Sequence, residues 1–207
     1  MALRETEMRC SPRMDIGALF DWDGVIVDSA RPHEESWERL AAEERRALPP
    51  GHFKRGFGRK NEAIIPDILG WTSDPGEVRR LSLRKEELYR KIIVEQGTEP
   101  LPGVREFLKR LREAAVPCAV GSSTHRENID TILRVTGLAP FFAAIVSAED
   151  VQAGKPDPQI FLLGAQKIGR APGRCVVFED ALVGLQAARA GGMRAVAVAT
   201  THPDAGL

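Results

Sequence analysis

The chain has 207 residues, 43% of them hydrophobic and 28% charged, and its 29 basic residues balance 29 acidic ones. This composition is typical of a globular protein, and the balanced charge excludes the basic surface typical of nucleic-acid-binding proteins. No apolar run approaches the roughly 20 residues of a membrane span, and the first fifteen residues lack the apolar centre of a signal peptide, so we expect a cytoplasmic protein.

The first predicted element is a buried strand over Ile16–Phe20, an apolar run that ends in Asp21-Trp22-Asp23-Gly24. Because strand side chains alternate, Asp21 and Asp23 point to one side of the sheet and Trp22 to the other. Two carboxylates at the end of a buried strand are costly unless a partner compensates them. We therefore predict a chemical role, in which the pair shares a metal and a substrate.

The next region, residues 30–99, has no convincing strand and is dominated by charged helical stretches. Its Trp37 and Leu40 are placed to face a small core of their own. This pattern predicts a helical domain inserted after the first strand, so that residues 15–29 and 100–207 form the main domain and residues 1–14 a loose tail. The best helix candidates are Glu34–Ala47, Asn61–Leu69 and Glu77–Glu95.

Strands and helices alternate in the rest of the chain. Apolar residues recur at helical spacing around residues 104–111 and 129–136, and Pro158–Ile168 and Ala181–Ala190 also have helical patterns. Strands that alternate with helices predict a doubly wound α/β fold with a parallel sheet. The four further predicted strands are Pro117–Gly121, Ala144–Val146, Arg174–Phe178 and Arg194–Ala199.

The three cysteines, an odd number, argue against a disulfide framework and fit a reducing compartment. Cys118 and Cys175 lie inside apolar runs and are predicted to be small core residues. Cys10 lies in the polar N-terminal stretch, where we expect an incidental thiol.

Four polar clusters follow predicted strands. In an open α/β sheet the carboxyl ends of the strands share one edge, where ligands bind, so we expect the clusters to meet there. Together they offer carboxylates, one cation, hydroxyls and free backbone N–H groups. The clusters are Asp21/Asp23, Gly121-Ser122-Ser123-Thr124, Lys155 and Glu179-Asp180.

This set of groups suits phosphoryl transfer. A phosphoryl group in transfer spreads negative charge over its oxygens and needs donors and cations around it. Carboxylates become useful once Mg²⁺ lies between them and the phosphate. One carboxylate can attack phosphorus, and a second can exchange protons with the leaving oxygen and with water. The bland alternatives are another kind of metal site at Asp21/Asp23, and serines that only cap the following helix.

At these positions the chain resembles the haloacid dehalogenase superfamily, the aspartate-nucleophile phosphatases. The resemblance runs from about Asp15 to Pro203 and is to the branch with a helical cap inserted after the first strand. That branch includes phosphoglycolate phosphatases, sugar-phosphate phosphatases and β-phosphoglucomutase, and it implies a Rossmann-like α/β core. The motifs that carry the resemblance are residues 21–29, Gly121-Ser122-Ser123, Gly154-Lys155-Pro156-Asp157-Pro158 and residues 178–188.

The resemblance implies roles for the residues of the four clusters. Asp21 resembles the nucleophile, and Asp23 resembles the general acid and base. Ser122 and the Ser123 N–H resemble the donors to phosphate oxygens, and Lys155 would neutralise the nucleophile and the bound phosphate.

The resemblance also implies a Mg²⁺ site. Asp180 resembles the metal's side-chain ligand, and Glu179 would lie in or near its coordination shell. Asp21 and the backbone carbonyl of Asp23 would complete the protein ligands. The alternative for Glu179 and Asp180 is that they only begin a helix, where acidic residues are favourable.

The roles of the cap residues are left open. His33 and Trp37 lie one helical turn apart, and relatives place a similar pair near the cleft between cap and core; alternatively, Trp37 packs in the cap and His33 is solvated. The glycine-flanked loop Gly56–Asn61 contains Arg59 and Lys60. It resembles the cap loop that contacts the substrate in β-phosphoglucomutase-like proteins; the alternative is a solvated basic loop.

The leading hypothesis is a Mg²⁺-dependent phosphatase for a small phosphorylated metabolite, of the sugar-phosphate or phosphoglycolate class, acting as a monomer or weak homodimer. A β-phosphoglucomutase-like phosphomutase would use the same core residues. A dehalogenase or phosphonatase is disfavoured because neither needs the second acid, Asp23. A catalytically silent phosphate-binding module is disfavoured by the intact set of acids and Lys155.

Overall fold

The computed structural model describes residues 15–56 and 59–201, and its sheet has five parallel strands. The strand order is β3-β2-β1-β4-β5, so the first strand lies in the centre and the chain winds outward on both sides of it. This confirms the doubly wound α/β fold. The predicted tail, with Cys10, lies outside the described residues. The strands are β1 (Gly17–Phe20), β2 (Cys118–Gly121), β3 (Ala144–Val146), β4 (Cys175–Glu179) and β5 (Arg194–Ala197).

Between β1 and β2 the chain first forms an inserted helical cap, as predicted. The predicted helix over Asn61–Leu69 is divided, because its second half, Ile65–Leu69, forms a π-helical turn. Among the described residues no helix is long and apolar enough to cross a membrane. The cap helices are α1 (Ala30–Glu44), α2 (His52–Gly56), α3 (Asn61–Ile64) and α4 (Pro75–Gln96).

The ends of the two long cap helices have local causes. Helix α1 begins before the predicted Glu34, since Pro32 is tolerated in a first turn, and it ends where Arg45 adopts a left-handed conformation with φ of 53°. Helix α4 begins at Pro75 because Asp74 caps it, accepting a hydrogen bond of 2.8 Å from the Glu77 N–H.

Among the described residues of the main domain, four further α-helices pack on the two faces of the sheet. Side chains alternate along β1, so Phe20 packs in an apolar cluster on one face with Ile129 of the following helix layer, whereas Leu19 packs on the other face with Phe161. Cys118 and Cys175 are buried in these clusters as free thiols, as predicted. The helices are α5 (Val104–Glu113), α6 (Arg126–Thr136), α7 (Gln159–Lys167) and α8 (Leu182–Ala190).

The cap has an apolar cluster of its own. Trp37 and Leu40 of α1 are buried there against Leu81 of α4, which confirms the small core predicted for this region. The second half of α4 packs elsewhere: Tyr89 and Ile93 lie in the main-domain cluster that contains Phe20. Helix α4 therefore contributes to both apolar clusters, and its orientation couples the cap to the sheet.

The outer face of the cap is a seam of ion pairs between α1 and α4. Glu43 pairs with Arg84 at 2.8 Å, and Glu44 pairs with Arg80 at 2.7 Å. Exposed pairs of this kind stabilise a protein by at most about 1 kcal/mol each. The seam therefore aligns two helices without placing any group at the strand ends.

Candidate active site

The strand register brings the predicted clusters together at one edge of the sheet. Phe20, the last residue of β1, pairs with Val120 on one side and Phe178 on the other, so the residues that follow these strands are neighbours. The Asp21 N–H extends the ladder by donating to the Phe178 carbonyl at 2.9 Å. The Ser122 N–H likewise donates to the Val146 carbonyl at 3.0 Å.

Lys155 joins the first and last of these clusters. Its Nζ donates to Asp21 Oδ1 and to Glu179 Oε1, both at 2.7 Å, and lies 4.8 Å from the centre of the Phe161 ring. Burial opposes the charge of Lys155, but the two carboxylates outweigh it and raise its pKa. Burial also raises the pKa of Asp21, and Lys155 offsets only part of that effect. Asp21 thus has a fixed cation beside it.

Asp23 has a different environment from Asp21. Its carboxylate accepts hydrogen bonds from the hydroxyls of Ser29 and Thr124. Burial, followed by repulsion from Asp21, raises the pKa of Asp23. A carboxyl group that holds its proton more strongly than usual is suited to act as a general acid. The two acids of the first motif are therefore inequivalent in this structure.

Sequence reasoning did not assign the two hydroxyls that hold Asp23. Ser29 and Thr124 both lie in or beside motifs that carry the family resemblance, but nothing in their spacing shows where their side chains point. The available hint is chemical, because a carboxylate at a strand end needs donors.

Two glycines allow the acidic side chains to approach the backbone. A Cβ on Gly24, whose φ is +76°, would lie 2.0 Å from Asp180 Oδ2. A Cβ on Gly184 would lie 1.6 Å from Glu179 Oε1, so this glycine serves the contact between α8 and Glu179. Both positions therefore exclude any side chain.

Three carboxylates form a group that can hold a metal ion. Asp21, Glu179 and Asp180 offer oxygen atoms that all lie within 4.8 Å of one another. Burial, with the Asp21 charge adding, raises the pKa of Asp180, and the Thr201 hydroxyl donates to its carboxylate. With Asp23 nearby, the described acids outnumber the single ammonium of Lys155. A hard divalent cation with oxygen ligands, such as Mg²⁺, fits this donor set.

The segment after β2 presents donors to the same edge. Ser122 is buried, and its Oγ accepts from the Thr124 N–H at 3.1 Å, whereas Ser123 is exposed. The N-cap of α6 is His125, so neither serine caps that helix. This result removes the alternative in which the serines serve only as caps.

His33 is half-buried, so the alternative in which it is a solvated surface residue is wrong. Its ring stacks on Tyr89 with a centroid distance of 4.0 Å, and its Nδ1 lies 2.6 Å from Lys85 Nζ. Burial, with Lys85 adding, lowers the pKa of His33 to about 3. Because the neutral ring accepts at Nδ1 from the Lys85 ammonium, its proton is on Nε2. Lys85 itself was not singled out in the sequence.

The other cap candidates are placed differently. Trp37 is buried in the apolar cluster of the cap, as its packing alternative predicts. Arg59 and Lys60 are exposed, and Arg59 pairs with Asp67 at 2.7 Å within the cap. Phe57 and Gly58 of the predicted loop lie outside the described residues. Among the described contacts none joins Arg59 or Lys60 to the acids at the strand ends.

A cavity of about 530 Å³ is lined mainly by residues of the cap, with His125 from the main domain. Its volume is in the range of small-molecule sites. Ser82, Leu83 and Arg79 of α4 line it on the cap side, and His125, which follows the Ser122–Thr124 segment, lines it on the other side. None of the acids at the strand ends, and neither Ser122 nor Lys155, lines this cavity; His125 is the lining residue that lies nearest to them in the sequence.

Comparisons with known proteins agree with this geometry. The family model of haloacid dehalogenase-like hydrolases matches residues 17–192. A chloroplastic 5-amino-6-(5-phospho-D-ribitylamino)uracil phosphatase of Arabidopsis thaliana is 38% identical over 204 residues, which cover 97% of this chain and 53% of that protein. The chain therefore spans about half the length of this relative.

Two further proteins are similar over most of their length. Fructose-1-phosphate phosphatase YqaB of Escherichia coli is 34% identical over 191 residues, covering 88% of this chain and 95% of that protein. The solved structure of β-phosphoglucomutase from Clostridium difficile has a TM-score of 0.75 and 26% identity, covering 89% of this chain and 84% of that one. The matches cover both the sheet and the cap.

Proposed function

The chain belongs to the haloacid dehalogenase-like hydrolases, and on this premise we propose that it is a Mg²⁺-dependent phosphatase acting on a small phosphorylated metabolite through an aspartyl-phosphate. The observation that carries the proposal is the inequivalence of the two acids. The pKa values of both acids are raised, but Asp21 is paired with a buried ammonium, whereas Asp23 is held by two hydroxyls. A nucleophile and a proton donor need these different environments.

In the first step of the proposed reaction, an Asp21 oxygen attacks phosphorus and the bond from phosphorus to the leaving oxygen breaks. Asp23 gives its proton to that oxygen, so the product leaves as an alcohol. In the second step, water attacks the phosphorus of the aspartyl-phosphate while Asp23 takes up a proton from it. The Asp21 carboxylate and inorganic phosphate are released, and Asp23 is again protonated.

Other groups of the site stabilise charge during these steps. Lys155 remains beside Asp21 and would balance the negative charge of the incoming phosphate. Ser122 and the N–H of Ser123 would donate to phosphate oxygens. When bound, Mg²⁺ would reduce the repulsion between the carboxylates and the phosphate. Asp21, Asp180, the Asp23 carbonyl and Glu179, directly or through the outer shell, would hold it.

The substrate class we propose is a sugar phosphate, a sugar-alcohol phosphate or phosphoglycolate. The cavity beside His125 has room for such a leaving group, and the phosphatases named above act on substrates of similar chemistry. His33, whose Nδ1 is held by Lys85, would donate its Nε2–H to the substrate. Arg59 and Lys60 are candidates to bind a second anionic group, which for Arg59 requires release from Asp67. Trp37 would act only by supporting the cap.

A phosphomutase is the second candidate function. Similarity to β-phosphoglucomutase favours it, because the same acids and the same lysine position would serve both reactions. The two differ in whether the phospho-enzyme passes its phosphoryl group to water or to a sugar. A silent phosphate-binding module would not require Asp23 to hold a proton.

We place the domain boundaries at residues 29/30 and 99/100. The chain enters and leaves the cap at adjacent points, since Val27 forms a bridge with Pro100 and the Leu101 N–H donates to the Ile26 carbonyl at 2.8 Å. Two neighbouring connections form a natural hinge for a cap that closes over substrate and excludes water. The cytoplasmic location and the monomeric or weakly dimeric state stay predictions.

The experiment that tests the proposal measures phosphate release from a panel of sugar phosphates, sugar-alcohol phosphates and phosphoglycolate. Each substrate is assayed with Mg²⁺, with EDTA, and with Mg²⁺ plus a sugar bisphosphate primer. We expect Mg²⁺-dependent phosphate release that needs no primer. Isomerisation of a sugar phosphate that requires the primer would favour the mutase. Binding of phosphate without turnover of any substrate would favour the silent module.

A further inference from the structure

A buried polar cluster, which the proposed mechanism does not use, lies between the cap and the main domain. Lys85 and Glu86 of α4 have side chains only 3% and 7% exposed and form an ion pair at 3.0 Å. Asn61 of α3 and Asn128 of α6 are also buried. Buried charges are costly unless they are paired and hydrogen-bonded. Each charged group of this cluster therefore needs partners that compensate for its burial.

Glu86 uses its two oxygens for different partners. Within the cap, Oε1 accepts from Asn61 Nδ2 at 2.7 Å and from Lys85 Nζ at 3.0 Å. Across the boundary, Oε2 accepts from Asn128 Nδ2 at 2.6 Å. One carboxylate therefore organises the inner face of the cap and attaches it to the main domain.

Asn128 is oriented by a second cap residue. Its Oδ1 accepts from Arg90 Nη1 at 3.1 Å, so the amide nitrogen must face Glu86. Arg90 also pairs with Glu127 at 3.0 Å, but the Glu127 side chain is 76% exposed. The buried part of the connection is thus the Glu86–Asn128 bond.

Both ends of this bond lead to the candidate active site. Asn128 lies in the first turn of α6, directly after the segment whose Thr124 holds Asp23. Glu86 holds Lys85, and Lys85 in turn holds the Nδ1 of His33. Separating Glu86 from Asn128 would therefore let the Lys85–His33 pair of the cap move relative to Thr124, which holds Asp23.

We propose that Glu86 and Asn128 are positioning residues that latch the cap onto the main domain and set the Lys85–His33 pair relative to Asp23 for turnover. The inference rests on the proposed function in one respect, since it requires that turnover takes place with the cap and the main domain joined as they are in this structure. The latch acts through other groups, so neither residue contacts the reacting atoms. The outer seam of α1 and α4 has no such bond to the main domain among its described contacts.

The chain permits a swap that reverses the direction of the bond. In Glu86→Gln an amide N–H₂ faces the Asn128 N–H₂, and in Asn128→Asp two carboxylates face each other, so each single variant breaks the latch. In the double variant the amide introduced at position 86 can donate to the carboxylate introduced at position 128, which still accepts from Arg90. The carbonyl oxygen of the introduced amide keeps Asn61 and Lys85 as donors.

The assay uses the full chain with Mg²⁺ and para-nitrophenyl phosphate. Each single variant leaves a buried group without its partner and should therefore lower kcat by about tenfold or more, with a smaller change in KM. The double variant should recover kcat to within about threefold of wild type, because the two sites are coupled. Glu87→Gln is the matched control, since this neighbouring carboxylate is 55% exposed; Glu127→Gln controls for the surface pair.

Hydrogen exchange gives a readout that does not depend on activity. Amides in the first turn of α6 and in the two connections to the cap should exchange faster in both single variants and return to wild-type rates in the double variant. Asn128→Ala replaces Asn128→Asp if thermal unfolding shows that the latter does not fold.

The latch would be overturned if the single variants had wild-type kcat and wild-type exchange rates, or if the double variant were no more active than either single variant. A wild-type chain that releases no phosphate overturns the proposed function instead, and exchange still decides the latch.

Discussion

The edge of the sheet and the inner face of the cap both hold buried charges, but they balance them differently. At the sheet edge the acids outnumber the ammonium of Lys155, and the pKa values of Asp21, Asp23 and Asp180 are raised. In the cap Lys85 faces Glu86, and burial is outweighed by Lys85 and by the two asparagines so that the pKa of Glu86 falls to about 2. The sheet edge has too little positive charge to balance its acids, whereas the Glu86 carboxylate of the cap already has a cation and two hydrogen-bond donors.

This difference indicates how the two regions divide the work. A site with unbalanced negative charge is ready to gain a cation and, with it, a phosphate group. A satisfied network gains nothing from a ligand, but it is rigid and specifies one arrangement of the elements that it joins. The sheet edge is therefore suited to chemistry and the cap to positioning.

The largest effect is expected at the nucleophile. Asp21→Asn should abolish Mg²⁺-dependent phosphate release, with a loss of at least about 1,000-fold, because an amide cannot form the acyl phosphate. Asp15→Asn is the matched control, since Asp15 precedes the same strand at its opposite end and is exposed. Steady-state assays that show wild-type turnover for Asp21→Asn would refute the assignment.

The second prediction tests charge balance at the sheet edge. Lys155→Met leaves Asp21 and Glu179 without their cation, and breaking a buried ion pair in this way costs about 3–5 kcal/mol. Urea denaturation without Mg²⁺ should show a loss of that order in the free energy of unfolding. Lys167→Met is the control, because Lys167 pairs with Asp150 at the surface. Equal stability of both variants would show that Lys155 is not needed to balance the acids.

The third prediction concerns pH and the cap. The pKa of His33 is about 3, below the ordinary 6.5, through burial and the charge of Lys85, with Glu86 opposing and His125 adding. The unfolded chain therefore takes up a proton that the folded chain refuses, and stability falls as pH drops from 6.5 toward 3. At pH 5 the cost is about 1–2 kcal/mol relative to pH 7.

His33→Gln should remove that part of the pH dependence, which urea denaturation at pH 7 and pH 5 measures. Glu86 remains ionised at pH 5, since its pKa is about 2, so its contribution does not change over this interval. His125→Gln is the control because His125 is exposed and pairs with Glu149. An unchanged slope in His33→Gln would mean that the ring is protonated in the folded state.

The smallest effect is expected on the outer face of the cap. Arg84→Ala removes exposed pairs with Glu43 and Glu87 and should cost less than about 1 kcal/mol in thermal unfolding, with kcat unchanged. Comparison with Glu86→Gln, two positions along the same helix, separates the outer seam from the inner network. A loss of kcat in Arg84→Ala would remove that distinction.

Much of the main domain could be predicted because the same local pattern sets both strand and site. The apolar run before Asp21 predicts a strand, and the strand's end places Asp21 where parallel strands bring Ser122 and Asp180. The exact ends of strands shifted by a residue or so, and the short helix α2 was not predicted. Such ends depend on neighbours in the sheet and on caps, which a single apolar run does not encode.

The cap was predictable as a set of helices but not as a site. Helix α4 carries charges along most of its length, and in the sequence Lys85 and Glu86 look like Arg84 and Glu87 beside them. Only packing distinguishes them, since Lys85 and Glu86 are buried whereas Arg84 and Glu87 are exposed. Likewise, the sequence contains Ser29 and Thr124 but does not show that their hydroxyls bond to Asp23.

The sequence by itself determined the order of strands and helices, the inserted cap and the acids, serines and lysine at the strand ends, because backbone periodicity and strand ends are local properties. Only the tertiary structure decided which partners hold Asp21 and Asp23, that His33 is neutral against Lys85, and that the cap is joined to the main domain through Glu86. These features depend on burial and on partners far apart in the chain, and both arise only when the elements pack.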